Sequence, residues 1–348
     1  FYKYESGVYI IQKDDDVRMR IEQFIKYYLP KHLITNTRLE NLVKRLKIQP
    51  EVRYTGSMNS EMYKVNLKNG IFDLKTRTLS PHTKDLKSTI QLPFAYDPKA
   101  TCSEFDKFID DIFDGDSDVI DYILKFSCYL LLPTYAFQKV MVWIGSGRNG
   151  KGTLGSILTN LLGPENTACE DIHDLASNQF SAIHLRNKLV NISPELKTKD
   201  VELDMIKKLS GGDRISARDL YKSAVQFSNI ARLIIMANEL PRFSEIGNAV
   251  MQRFEFINFP KQYNGKNADT SLIDKLKTEL SGIFNRVISK MNDIVQPDGK
   301  IYFEAPQVIG RYKESVLSEL TNVVEFVKEE CDVQDPLAEE SFRDLFKA

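Results

Sequence analysis

The sequence predicts an α/β fold with a mainly parallel sheet, preceded by a mostly helical region that contains a β-hairpin. Three observations carry this expectation. Four short apolar runs, Val140–Ile144, Leu189–Ile192, Leu233–Ala237 and Phe254–Phe259, alternate with segments of helical period, as strands buried on both faces do. A glycine-rich run, Gly145 to Thr153, lies between the first of these strands and an amphipathic helix. Upstream, apolar residues recur at helical spacing, interrupted by an alternating stretch around Lys68-Asn69-Gly70.

Composition sets the outer limits. The chain has 348 residues, with 47 Lys and Arg against 48 Asp and Glu, 42% hydrophobic and 27% charged. At ~100–200 residues per domain, two or three domains are expected. A net charge of −1 excludes a uniformly basic nucleic-acid sleeve, though not a local basic surface. The longest apolar run, around Tyr129–Leu132, stops at Pro133, far short of the ~18 residues of a membrane span. Four dispersed cysteines and four dispersed histidines, without a CxxC pair, argue against a zinc site or a disulfide framework. Reduced thiols in the cytoplasm are the expectation, with no membrane association. A first residue of Phe suggests a piece of a longer protein.

Taken in order, Ile21, Phe24, Ile25 and Tyr28 fall on one helical face within Val17–Leu29, and Pro30 ends that pattern. Val65–Leu67 and Ile71–Leu74 alternate around Asn69-Gly70, a hairpin signal because both turn residues tolerate positive φ. Tyr96-Asp97-Pro98 reads as a turn. Phe105, Phe108, Ile109, Ile112 and Phe113 line one helical face, and the acidic Asp114–Asp118 segment marks the first boundary. The expected domains are residues 1–115, mostly helical; 116–300, the α/β layer; and 301–348, the truncated start of a small domain that includes a helix at Val316–Val327.

The run Gly145-Ser-Gly147-Arg-Asn149-Gly150-Lys151-Gly152-Thr153 has the spacing of a phosphate loop. Glycines let backbone amides converge on phosphate oxygens, the helix N-terminus adds a positive dipole, and Lys151 supplies a point charge. The helix that follows carries Leu154, Ile157, Leu158, Leu161 and Leu162 on one face and stops at Gly163-Pro164. The residue after the lysine is usually Ser or Thr, a Mg²⁺ ligand; here it is Gly152, with Thr153 next. Thr153 could take the metal, reach the α-phosphate, or leave Mg²⁺ to water and phosphate.

A nucleotide hydrolase also needs an acid at the end of a neighbouring strand. Glu195 follows the Leu189–Ile192 strand, while Pro194 stands where a second acid often would, so Glu195 is the candidate for both metal partner and base. Asp200 is the weaker candidate. Asn238, at the end of Leu233–Ala237, is placed to orient water or sense a γ-phosphate. Arg214–Phe227 reads as two strands around a tip near Leu220–Ser223, in which Arg218, Tyr221 and Lys222 combine cations with an aromatic, as a nucleic-acid-gripping hairpin requires. Arg253, just before the Phe254–Phe259 strand, is a candidate arginine finger, with Arg242 in reserve.

This series resembles the superfamily 3 helicase module, and more narrowly the primase–helicases of phages, plasmids and poxviruses. The resemblance rests on Gly147–Thr153, Leu209-Ser-Gly-Gly-Asp213 with Leu220-Tyr221-Lys222, and Ala237-Asn238-Glu239-Leu240-Pro241. Asn69–Leu74, Tyr96–Pro98 and Cys102–Phe105 are similar to the helical domain that precedes the ATPase in those proteins. It implies an AAA+-like ATPase using ATP and Mg²⁺, assembled as a ring, usually a hexamer, on single-stranded and forked DNA, and moving 3′ to 5′. It further implies an upstream primase or polymerase domain and a winged-helix domain beginning near Val316. By position, Lys151 is the Walker A lysine, Glu195 the Walker B acid, Asn238 the sensor and Arg253 the finger. A nucleotide kinase, or a ring that loads other proteins without unwinding, are the competing readings.

Overall fold

The chain opens with an antiparallel hairpin, β1 (Tyr2–Glu5) and β2 (Val8–Ile11), followed by α1 (Asp14–Ile25) and α2 (Asn36–Ile48). The computed structural model describes residues 1–50, 52, 54–178, 180–194, 203–218, 224–240, 251–263, 269 and 271–330. Asp14, Asp15 and Asp16 fill the first turn of α1, where negative charge suits the helix dipole. Thr35 caps α2 through its hydroxyl. The helix expected from Val17 therefore exists, but its apolar face stays open. No residue of α1 is buried, and Phe24 is 67% exposed. The helix ends at Ile25, before Tyr28, while the buried positions of this pair fall to Leu39 and Val43 of α2.

A three-stranded antiparallel sheet follows, built from β3 (Lys64–Leu67), β4 (Gly70–Asp73) and β5 (Thr78–Ser80). Leu67 pairs with Gly70, so the two turn residues are Lys68 and Asn69, one step earlier than Asn-Gly chemistry suggests. Of that pair only Gly70 has positive φ, at 153°, and a Cβ there would lie 2.5 Å from the Ser80 carbonyl oxygen. Asn69 acts through its amide instead. Its Nδ2 donates to the Tyr96 carbonyl and its Oδ1 accepts from the Tyr96 amide, both at 2.9 Å, which ties the hairpin to the next turn.

Then come α3 (Ser103–Ile112), with Phe105, Phe108, Ile109 and Ile112 buried as its periodicity requires, and α4 (Ser117–Leu130), capped by Asp116. From there strands and helices alternate: β6 (Val140–Ile144), α5 (Lys151–Leu162), β7 (Thr167–Ala168), α6 (Ile172–Ser177), β8 (Val190–Ser193) and α7 (Leu203–Gly211). An antiparallel ribbon of β9 (Arg214–Ala217) and β10 (Val225–Ser228) leads into β11 (Arg232–Ala237) and β12 (Phe254–Asn258). The helices α8 (Leu272–Thr278), α9 (Leu280–Ile288), α10 (Met291–Ile294) and α11 (Gln307–Glu330) close the described chain. The helix expected at Val316–Val327 thus begins nine residues earlier. Residues 331–348, part of the expected winged-helix segment, lie outside the described residues.

The central sheet has five strands, all parallel, in the order β12-β6-β11-β8-β7. All four strands expected from apolar runs are in it. The fifth, β7, has two residues and too little length to show a period. Within β6, Met141 and Trp143 face one hydrophobic cluster, while Val140, Val142 and Ile144 face another. The first cluster runs from Val65 of β3 through α3, α4 and α5 to Ile309 of α11. The antiparallel sheet and helices before β6 therefore share a core with one face of the parallel sheet. From β6 the chain crosses to β7 at the sheet edge and returns to β11 beside β6, while β12 takes the other flank. The crevice at the carboxyl end of β6 is thus a topological switch point, where α/β sheets bind ligands.

Arg232, the first residue of β11, is fully buried and faces no carboxylate among its hydrogen-bond partners. Its guanidinium donates to the carbonyls of Tyr129, Leu130, Leu132, Thr134 and Ile230 and lies 4.8 Å from the Tyr129 ring centroid. These include carbonyls at the end of α4, where the negative pole of the helix dipole lies. Burial lowers the pKa of Arg232 to about 10, so it remains charged at neutral pH. Among the described residues, no helix is long and apolar enough to cross a membrane.

Candidate functional site

The loop from Gly145 to Gly150 leaves the carboxyl end of β6 and turns into α5. Its conformation depends on left-handed residues, with φ of 87° at Gly147, 48° at Arg148 and 88° at Gly150. Such alternation folds successive N–H groups around one point and makes an anion-binding concavity. Three tethers hold the loop. Gly145 N donates to the Ala237 carbonyl at the end of β11 at 3.2 Å, and the Arg148 carbonyl accepts from Tyr263 N at 2.7 Å. A Cβ on Gly150 would lie 2.5 Å from Ile112 Cγ2, so α3 presses directly on the loop's last glycine.

Lys151 is buried, its side chain folded into the loop rather than out to solvent. Its Nζ donates to the Gly145 carbonyl, to Asn149 Oδ1 at 3.2 Å and to Asn238 Oδ1 at 3.3 Å. Asn238 therefore stands at the loop, as expected of a polar residue ending the adjacent strand. Asn149 is 2% exposed, and its Nδ2 has no hydrogen-bond partner among the described residues. A buried amide donor inside a glycine-rich concavity, beside a lysine and a helix N-terminus without acidic residues, suits a phosphate-bearing ligand. Thr153 lines the same cleft, of about 360 Å³, one turn into α5.

The structure thus brings Gly145, Gly147, Asn149, Gly150, Lys151, Gly152, Thr153 and Asn238 together. Arg253 is elsewhere. Its register places it at the amino end of β12, roughly 20 Å along the sheet from the loop at ~3.3 Å per residue. There Arg253 Nη1 donates to the Lys207 carbonyl at 2.7 Å and to Ser210 Oγ at 2.9 Å, against the last turn of α7. Arg218 follows β9, with its guanidinium 5.1 Å from the Phe180 ring centroid. Glu195, Asp200, Tyr221, Lys222 and Arg242 lie outside the described residues.

A second wall escaped the sequence. Beside Arg148, Gly150 and Thr153, a cleft of about 660 Å³ is lined by Phe108, Tyr263 and Leu272, with Glu104, Asp111 and Asp269 around it. Tyr263 donates its hydroxyl to Asp111 at 2.6 Å, and Lys261 reaches the same carboxylate at 2.9 Å. Those two contacts, Tyr263 first, hold the Asp111 pKa below the ordinary carboxylate value. Residues 111 and 263 are too far apart in sequence for any local pattern to pair them.

Comparison with known proteins covers both halves. Residues 1–114 match the family described as D5 N terminal like, and residues 143–253 match a family of unknown function, DUF5906. A putative helicase L207/L206 of Acanthamoeba polyphaga mimivirus is 25% identical over 283 residues, covering 71% of this chain and 28% of its own. A putative helicase 121R of Invertebrate iridescent virus 3 is 22% identical over 216 residues, covering 57% and 23%. The chain therefore spans about a quarter of the length of these curated relatives. The C-terminal region of NrS-1 (305-718) shares the fold, with a TM-score of 0.55 at 14% identity over 97% of this chain and 78% of that one. The expected resemblance is borne out as a likeness to viral putative helicases and to the D5 N terminal like family, and the expected fold by the NrS-1 region. The Gly145–Thr153 loop stands at the carboxyl end of β6, beside the strand that ends in Asn238.

Proposed function

We propose that this chain is the motor module of a DNA helicase, hydrolysing ATP at a site built on Lys151. The observation that carries the reading is the buried Lys151 ammonium, held between the Gly145 carbonyl, Asn149 and Asn238 in a loop that also contains an unpartnered Asn149 Nδ2. In this reading the loop amides, Lys151 and Asn149 bind the phosphates, and the base enters the cleft of Phe108, Tyr263 and Leu272. Thr153 and Glu195 are the residues for Mg²⁺, which supplies charge neutralisation to the phosphates when bound. Glu195 also activates the attacking water, and Asn238 orients it.

Arg218, Tyr221 and Lys222 grip single-stranded DNA from the ribbon of β9 and β10. Arg253 serves as a finger for a neighbour's nucleotide in a homo-oligomeric ring, a hexamer in the simplest case, that moves 3′ to 5′ in the cytoplasm. Its placement at the opposite end of the sheet from its own loop favours service in trans, with a move away from Lys207 and Ser210 on assembly. Residues 1–115 act as a collar, 116–300 as the ATPase and 301–348 as the start of a winged helix, with a primase or polymerase domain upstream in the full-length protein.

Strand displacement on forked DNA tests the reading. Wild-type protein is expected to unwind with ATP and not without. Arg253→Ala and Lys151→Ala proteins, each inactive alone, are expected to regain partial ATP turnover when mixed, because mixed rings contain interfaces with an intact loop and an intact finger. A monomer that is fully active on ATP and DNA contradicts the ring.

A further inference from the structure

At the amino ends of the strands, opposite the phosphate loop, a groove of about 1050 Å³ separates the β1–β2 hairpin, Val52, Tyr54 and residues 56–60 from the ribbon of β9 and β10. Pockets for single small molecules run to ~300–1,000 Å³, so this groove suits an extended ligand. It is placed by Arg186 and Asn187, which precede β8, and Ile230, which precedes β11. Its far wall is fixed by Tyr9, whose backbone N donates to the Ser88 carbonyl at 2.8 Å and whose hydroxyl donates to the Lys84 carbonyl at 3.1 Å.

Charge and aromaticity in the groove depart from the rest of the molecule. Lys87, Arg186 and Arg214 line it beside Tyr2, Tyr54 and Phe227, and no described lining residue is acidic. In a chain with 48 Asp and Glu among 348 residues, that is a segregated surface. Arg186 and Arg214 are exposed and make no ion pair or side-chain hydrogen bond among the described residues. Lys87 Nζ stands 5.3 Å from the Tyr9 ring centroid and 5.8 Å from that of Tyr54, which is itself 53% exposed. Arg186 and Arg214 are without carboxylate partners among the described residues, and Lys87 donates to the Tyr9 hydroxyl at 3.1 Å. Set among exposed aromatic faces, these cations match a ligand of repeating phosphates and flat bases.

We infer that this groove is a binding site for single-stranded DNA, separate from the tip of the β9–β10 ribbon. Arg186 and Arg214 contact phosphates, and Tyr54 and Tyr2 offer faces on which bases stack. Arg214 and Phe227 belong to β9 and β10, so a strand held here runs along the base of the same ribbon whose tip is assigned to DNA above. The inference rests on the helicase reading and adds a second contact to it.

The test is binding of labelled oligothymidylate by the whole chain over a salt series, with crosslinking of a 5-bromodeoxyuridine oligonucleotide to map the contact. Arg186→Ala/Arg214→Ala is expected to bind more weakly and to flatten the log–log salt slope by about 1.4, at ~0.7 per lost single-strand phosphate contact. Tyr54→Ala is expected to lose roughly 5- to 150-fold in affinity at unchanged slope, the range for one stacked base. Crosslinks should fall on the peptides bearing Tyr54 and Tyr2, and basal ATP turnover without DNA should be unaltered in all variants. Wild-type affinity and slope in both variants, or crosslinks confined to the 218–223 tip, overturn the groove while DNA-stimulated ATP turnover upholds the helicase reading. Absence of both DNA binding and DNA-stimulated turnover in wild-type protein overturns the two together.

Discussion

Two glycines of the Gly145–Thr153 loop, two residues apart, should respond to the same substitution with opposite signs. Gly150 has φ of 88°, and a Cβ there would meet Ile112 Cγ2 at 2.5 Å, with Phe108 Cε2 at 3.6 Å. The left-handed backbone costs an L-residue ~1–2 kcal/mol. Ile112 is fully buried in the main core and cannot yield freely, so overpacking adds ~1–3 kcal/mol. Gly150→Ala should therefore destabilise the fold by roughly 2–5 kcal/mol in total. Gly152 has no such φ, lies in the first turn of α5, and a Cβ on it meets nothing within 4 Å. Gly152→Ala should stabilise by about 0.5–1 kcal/mol, the ordinary gain from lower unfolded-state entropy in a helix. The assay is the urea midpoint of each variant, with nucleotide affinity measured alongside. Adding Ile112→Ala should lessen the penalty of Gly150→Ala relative to the sum of the two single changes, because it removes the clashing methyl. A neutral Gly150→Ala, or simple additivity with Ile112→Ala, refutes the close packing of α3 on the loop.

Three further outcomes follow from other contacts. Arg232→Met should lower stability by about 3 kcal/mol or more, since several buried carbonyls lose a charged donor at once; an unchanged urea midpoint counts against its role at the end of α4. Asp73, which accepts from Lys64 Nζ at 2.5 Å and from the backbone of Thr76 and Lys75, has a pKa lowered to about 2. Its folded value lies below the ordinary one, so its stabilisation is present above about pH 4 and is lost as pH falls toward 2. After solvent screening that amounts to about 1 kcal/mol, visible as a shallower acid limb for Asp73→Asn than for wild type. Asn69→Ala should loosen the β3–β4 turn by about 1–2 kcal/mol, the value of two lost hydrogen bonds, read as faster amide exchange at Tyr96.

The parts of this fold legible in the sequence are those whose signal is local. Val140–Ile144, the glycines after it and the Leu154–Leu162 helix face are contiguous, and the structure reproduces them nearly residue for residue. Asn238 was legible because it ends an apolar strand, although its contact with Lys151 spans 87 positions. What could not be read depends on tertiary neighbours. Arg232 at the start of an apolar strand resembles a surface cation; only the arrival of the α4 carbonyls makes it a buried one. Asn69-Gly70 suggested a turn centred on positive φ, whereas the register was set by Gly70 passing close to Ser80 and by the Asn69 amide bonding Tyr96. Asp111 and Tyr263 form one wall of the cleft beside the Gly145–Thr153 loop from distant segments that carry no motif. The open face of α1 shows the converse, since helical period predicted the helix but not that its apolar side would find no cover within the described chain.

The central claim is that the Gly145–Thr153 loop powers a motor that works on DNA. Steady-state ATP hydrolysis, measured with and without single-stranded DNA for wild-type and Lys151→Ala protein and accompanied by melting curves, tests it most directly. Wild-type turnover should rise when DNA is added, while Lys151→Ala should melt as a folded protein and hydrolyse ATP at background rate under both conditions. Turnover by folded Lys151→Ala equal to that of wild type, or wild-type turnover indifferent to DNA, would contradict the account.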